Sequence, residues 1–150
     1  MNAVGVWFYS INTDRYLYLL RNDKKHNNTW SLPGGKIEFN ESLLTTIHRE
    51  CTEELGVMPD YIKLVPLSQF TSDSESFVYH TFFCCIEKEF TPTLNNEHLG
   101  YAWVDSGHWP KPMHPGLWNT INHDSVTEKI NSVKLSLDYN LPTTISITPV

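Results

Sequence analysis

The chain reads as a layered α/β domain in the α+β sense, and three observations carry that reading. Short apolar runs bounded by turn residues recur at 3–8, 16–21, 30–32, 61–70, 77–87 and 100–104, which is the pattern of strands. Between Glu41 and Leu55 the apolar spacing switches to that of a helix. Two further stretches near the C-terminal end, 116–122 and 125–133, read as short helices. Strands mixed with two or three helices pack as layers of sheet and helix. With 150 residues, 40% of them apolar and 13% aromatic, the chain has the length of one typical domain and enough apolar surface for a core. The expectation is a single domain over 1–150, with no disordered composition.

The elements follow in order. Residues 3–8 (AVGVWF) and 16–21 (YLYLLR) form two strands around a turn at Asn12-Thr13-Asp14. A polar loop covers 23–28, and a short strand at 30–32 leads into Leu32-Pro33-Gly34-Gly35, where glycine permits a tight turn and close approach of backbone. Asn40 is the expected N-cap of the helix that follows. Gly56 ends that helix in a left-handed conformation, and Pro59 blocks its continuation. Leu44, Ile47, Cys51 and Leu55 make its buried stripe, with Glu50, Glu53 and Glu54 side by side on another ridge. The runs at 61–70 and 77–87 pair across a Ser/Asp/Glu turn, and 100–104 adds a short strand. A proline-rich loop at 110–115 precedes the two C-terminal helices, and 135–150 receives no assignment.

Composition removes several classes. The net charge of -6 lacks the basic footprint of a nucleic-acid binder, so no direct nucleic-acid binding is expected. An anionic small-molecule substrate stays open, because a bound metal reverses the local field. There is no apolar run of about eighteen residues and no basic leader, so neither a membrane span nor a signal peptide is expected. The three cysteines, Cys51, Cys84 and Cys85, are odd in number, and two are neighbours on a strand with side chains on opposite faces. That argues against a disulfide framework or a zinc site and fits a cytoplasmic location. The seven histidines are scattered and read as surface or partly buried residues.

The segment 35–57, GKIEFNESLLTTIHRECTEELGV, carries the chemistry. Three glutamates on one helical ridge repel one another by a few tenths of a kcal/mol per pair. A solvated acidic face is one explanation. A divalent cation held by the carboxylates is the other, and oxygen ligands of this kind suit Mg2+ or Mn2+. The Gly-Gly turn before the helix and Arg49 within it favour the cation. The spacing Gly35, Glu41, Arg49-Glu50, Glu53-Glu54, Gly56-Val57 resembles the GX5EX7REUXEEXGU signature of the Nudix (MutT-like) hydrolases, U being apolar. At background frequencies of about 7% per fixed position, a chance match at a given start is on the order of one in 10^8.

The resemblance extends over roughly 3–122 and is specific from 30 to 57. It implies the Nudix fold, a mixed β-sheet sandwiched between α-helices, and a Mg2+- or Mn2+-dependent pyrophosphohydrolase cleaving a nucleoside diphosphate linked to another group. Nucleoside triphosphates, ADP-ribose or sugar nucleotides, and dinucleoside polyphosphates are the candidate substrates. It implies metal ligation by the Gly34 carbonyl and by Glu50, Glu53 and Glu54, with Glu50 or Glu53 as base or water-orienting group. Glu41 and Arg49 match the family's internal ion pair, although Arg49 also stands four residues from Glu53. Arg21 is placed at the substrate phosphates, and Glu97 at the substrate as a further ligand or base, with His98 a second candidate there. A homodimer is compatible with the family. Two other readings share the fold: a nucleotide-sensing binding protein, whose mark would be a damaged box, and a diphosphate isomerase. Asn40 departs from the family's usual glycine but tolerates left-handed backbone, and Cys51 fills an apolar slot as a small hydrophobe. Trp7, Tyr18, Trp30 and Phe70 suit either base stacking or core. Pro66 and Tyr79 do not stand clearly at subfamily-marking positions.

Overall fold

A computed structural model describes residues 1–140, with side chains through Leu137. The elements are β1 (Asn2–Ser10), β2 (Arg15–Arg21), β3 (Trp30–Ser31), β4 (Gly34–Lys36), α1 (Leu43–Leu55), β5 (Lys63–Thr71), β6 (Val78–Ile86), β7 (His98–Asp105), α2 (Pro115–Ile121) and α3 (Asp124–Asn140). They build one mixed sheet in the order β3-β2-β1-β6-β5, with β4 also on β1 and β7 also on β2. β1 and β6 run parallel, Val6 opposite Phe82, and the other pairs are antiparallel.

β1 lies inside the sheet, and eight of its nine residues are buried. Its side chains alternate between two cores. Val4, Val6 and Phe8 join Leu17, Leu19, Cys84 and Ile86 against Ile47, Cys51 and Leu55 of α1. Trp7 and Tyr9 join Tyr16, Tyr18, Phe83 and Cys85 against α2 and α3. The sheet is thus covered by helices on both faces, as expected, and Cys84 and Cys85 do point to opposite sides. Each fully buried aliphatic or aromatic side chain contributes about 1.5–3 kcal/mol. No helix among the described residues is long and apolar enough to cross a membrane.

Four local expectations are corrected. Helix α1 is capped by Ser42, whose Oγ accepts from the Thr45 N–H at 3.1 Å, and not by Asn40. Asn40 instead holds φ 65 in the preceding turn. Leu44 is 50% exposed, because the buried arc of α1 begins only at Thr46. The Gly-Gly turn is itself a strand, with Gly34 opposite Gly5 and Gly35 opposite Val4. Glycine disfavours strands in general, so the pairing left no propensity signal. Finally, α3 extends to Asn140. Val126, Ile130 and Leu137 are its buried positions, spaced by helical turns. Residues 141–150 of the unassigned tail lie outside the described residues.

The aromatic candidates separate cleanly. Trp7 and Tyr18 are core residues, Trp30 packs partly buried against that core, and Phe70 is 58% exposed.

Candidate active site

Glu54 sits seven residues after Ile47, which at about 100° per residue puts the two within about 20° on the helix surface. The glutamate ridge therefore overlaps the buried stripe, and is not a separate face as the spacing suggested. Glu54 is only 3% exposed. Its Oε1 accepts the Gly34 backbone N–H at 2.8 Å. Burial pushes the Glu54 carboxyl up to about 9, with Glu97 and Glu50 adding like charge and the Gly34 N–H opposing them. Glu50, with a side chain 13% exposed, is also raised by burial and held down by Arg49. Glu53 points outward, its side chain 53% exposed and 3.5 Å from Arg49.

The two glycines of β4 have distinct roles. A Cβ on Gly34 would stand 1.9 Å from the Val4 carbonyl oxygen, so this residue closes the backbone against β1. A Cβ on Gly35 would stand 2.3 Å from Oε1 of Glu50, so this residue leaves room for a carboxylate.

Arg49 ties the loop before α1 to the helix. Its Nε and Nη2 donate to the two Glu41 oxygens at 2.7 and 2.9 Å, and Nη2 also donates to the Lys36 carbonyl at 3.0 Å. Nη1 reaches Oε1 of Glu50 at 3.0 Å. Glu41 receives in addition the Glu38 N–H at 2.9 Å and lies 3.0 Å from the Thr46 hydroxyl. The Arg49 guanidinium, first among these, holds the Glu41 carboxyl down to about 2. Of the two partners that the spacing left open, Glu41 has the two-pronged contact and Glu53 the long one.

Above β4 opens a cavity of about 1060 Å3, reaching from Gly34, Gly35 and Glu54 to α2 and the start of α3. Arg21 lines it and is ion-paired with Asp23. The β2–β7 register sets Arg21 opposite His98. That pairing brings the end of the 94–97 loop to the glutamates: Glu54, Glu97 and His98 each offer a ligand atom within 4.8 Å of the others. The fold thus gathers Gly34, Glu54, Glu97 and Arg21 on the cavity, keeps Glu50 between Gly35 and Arg49, and leaves Glu53 exposed and outside the cavity lining.

Tyr79 lines the same cavity and was not among the site residues that the sequence pointed to. Its hydroxyl lies 2.0 Å from where a Gly5 Cβ would stand, so Gly5 makes room for the ring. Burial, above all, raises this phenol to about 12. The available signal was a glycine inside a strand of otherwise larger residues. Asn119 and His123, contributed by α2 and the α2–α3 junction, also face the cavity, and no motif marks them.

The donor set fits a divalent cation. A carboxylate 97% removed from solvent has one N–H donor and two further anionic or imidazole groups beside it, an arrangement that bound positive charge would stabilise.

The NUDIX domain family model matches residues 1–123. The chain is 31% identical to the dihydroneopterin triphosphate diphosphatase of Haemophilus influenzae, across 69% of this chain and 73% of that one. It is 28% identical to the nucleoside triphosphatase NudI of Escherichia coli, across 50% of this chain, and the match spans 60% of that relative's length. The NUDIX domain of Shewanella oneidensis NrtR, solved in complex with ADP ribose, superposes with a TM-score of 0.68 at 16% identity, covering 87% of this chain and 88% of that domain. At that identity the likeness speaks for the fold alone. The family match over most of the chain, joined to a complete signature folded around a buried carboxylate, shows that this chain belongs to the Nudix family of hydrolases.

Proposed function

We propose that the chain is a Mg2+- or Mn2+-dependent pyrophosphohydrolase of a nucleotide-type substrate, with nucleoside triphosphates and pterin triphosphates the first candidates. The observation that carries this reading is Glu54, a carboxylate buried at the floor of a nucleotide-sized cavity and anchored to the Gly34 N–H. The two curated relatives above are named for triphosphate substrates, which supports the substrate class. The Gly34 carbonyl, Glu50 and Glu54 would hold the cation, with Glu53 joining from the exposed side of α1. When bound, the cation neutralises phosphoryl oxygens and lowers the pKa of a bound water.

The chain's own residues do the rest. Arg49 fixes the carboxylate of Glu50, and Glu41 fixes Arg49. Arg21 presents a planar fork to phosphate oxygens, exchanging its Asp23 partner for substrate. Glu50 or Glu53 accepts the proton of the attacking water as its oxygen bonds to one phosphorus and the bridging P–O bond breaks. The cavity arm towards α2 receives the base or pterin ring.

The test is a panel of nucleoside triphosphates, dihydroneopterin triphosphate, ADP-ribose and diadenosine polyphosphates. It is run with chelator-stripped protein plus Mg2+ or Mn2+, and 31P NMR in 18O-water identifies the phosphorus attacked. At least one compound is cleaved, and chelator stops the reaction. Absence of cleavage across the panel with either metal would overturn the reading.

A further inference from the structure

The cluster of Glu54, Glu97 and His98 combines two carboxylates with an imidazole, and the imidazole sets it apart from the all-oxygen ridge of α1. His98 opens β7, opposite Arg21 and beside the irregularity between Leu20 and Arg21 in the β2–β7 pairing. Its Nδ1 is buried and has no hydrogen-bond partner. Buried ring nitrogens are ordinarily satisfied. Glu54 spends one lone pair of Oε1 on Gly34, and its other side-chain partner is Glu97, itself one of the three. The three ligand atoms lie within 4.8 Å of one another. Ligands about 2.1 Å from a shared ion stand about 3–4 Å apart, so a small contraction closes the site.

We propose that His98 is a nitrogen ligand of a cation position shared with Glu54 and Glu97, which makes this position favour Mn2+, Co2+ or Zn2+ over Mg2+. Imidazole suits these metals, whereas Mg2+ demands oxygen ligands and gives up its waters reluctantly. Arg21 does not compete for the position while Asp23 pairs with it. Glu97, exposed at the end of its loop, can close on an ion that the rigid Glu54 holds from below. The inference rests on the cation dependence proposed above, and it assigns the chain's own metal preference to one side chain.

Pulsed EPR of Mn2+ bound to the chelator-stripped protein tests it without reference to turnover. The expected result is 14N coupling from one directly bound imidazole, lost in His98→Asn. Calorimetric titrations add a second measure. His98→Asn should weaken Co2+ binding by at least tenfold more than Mg2+ binding. Glu54→Gln should weaken both. Bound Mn2+ with no 14N coupling, or with coupling that persists in His98→Asn, overturns the role of His98 and leaves the carboxylate reading intact. Failure of the wild-type protein to bind any of the cations overturns both.

Discussion

The backbone N–H of Gly34 donates to Oε1 of Glu54 at 2.8 Å, joining two residues twenty apart in the chain. This bond docks α1 onto β4 and fixes the one glutamate of the signature that lies inside the protein. The two glycines next to it are therefore not equivalent, and they can be told apart by mutation. Gly34→Ala drives a methyl into the Val4 carbonyl at 1.9 Å, where only backbone can yield. It should destabilise the fold by about 2–3 kcal/mol, read as a lower denaturant midpoint. The nearest atoms to a Gly35→Ala methyl all belong to the carboxylate end of Glu50. This substitution should leave the midpoint nearly unchanged and lower turnover by displacing Glu50.

In the mechanism proposed above, Arg49 acts on the chemistry through Glu50, which its Nη1 reaches at 3.0 Å. Arg49→Lys keeps the charge and loses the fork that spans both Glu41 oxygens. Turnover should fall about 10–100-fold, with a lower melting temperature. Glu41→Gln should produce a similar loss, because it removes the same anchor. A loss confined to one of the two variants would show that they do not work as a unit.

The signature helix offers a test of its two faces. Ile47 is fully buried and Leu44 is 50% exposed. Ile47→Ala should cost about 2–5 kcal/mol, and Leu44→Ala about 0.5 kcal/mol or less. Chemical denaturation of the pair measures both.

His114 gives the fold a pH dependence. Its Nδ1 accepts the Gly116 N–H at 3.0 Å and so must be unprotonated in the folded protein. Burial, reinforced by His26 nearby, lowers it from 6.5 to about 4. The unfolded chain binds this proton first, so the contribution is complete above about 6.5 and is lost as pH falls towards about 4. His114→Asn keeps a helix-capping side chain without the titration. The stability difference between wild type and this variant should therefore change between pH 6.5 and 4, and hold constant above pH 7. A difference that is flat through the lower window would contradict the assignment.

Much of this was legible in the sequence, for reasons that can be named. The periodicity from Ile47 to Leu55 is set by burial against β1, and burial leaves an apolar trace. The strand at 3–8 is legible because burial leaves it almost wholly apolar, while the division of its side chains between two cores shows only in the structure. Glu54 is legible as a ligand candidate, but helical spacing alone set its ridge apart from the buried stripe, whereas the fold buries Glu54 beside that stripe. Strand β4 was hidden because glycines chosen for close approach have no strand propensity. Tyr79 and the α2 residues were hidden because a cavity assembled from distant segments imposes no local spacing.

On the reading proposed above, buried Glu54 holds the cation that hydrolysis by this chain requires. The most direct measurement is turnover of Glu54→Gln beside the wild type, on the best substrate of the panel, with melting temperature and far-UV circular dichroism taken on the same samples. Turnover should fall by orders of magnitude, with folding preserved because glutamine retains an oxygen that can accept from Gly34. Near wild-type turnover in a folded Glu54→Gln protein would contradict this reading.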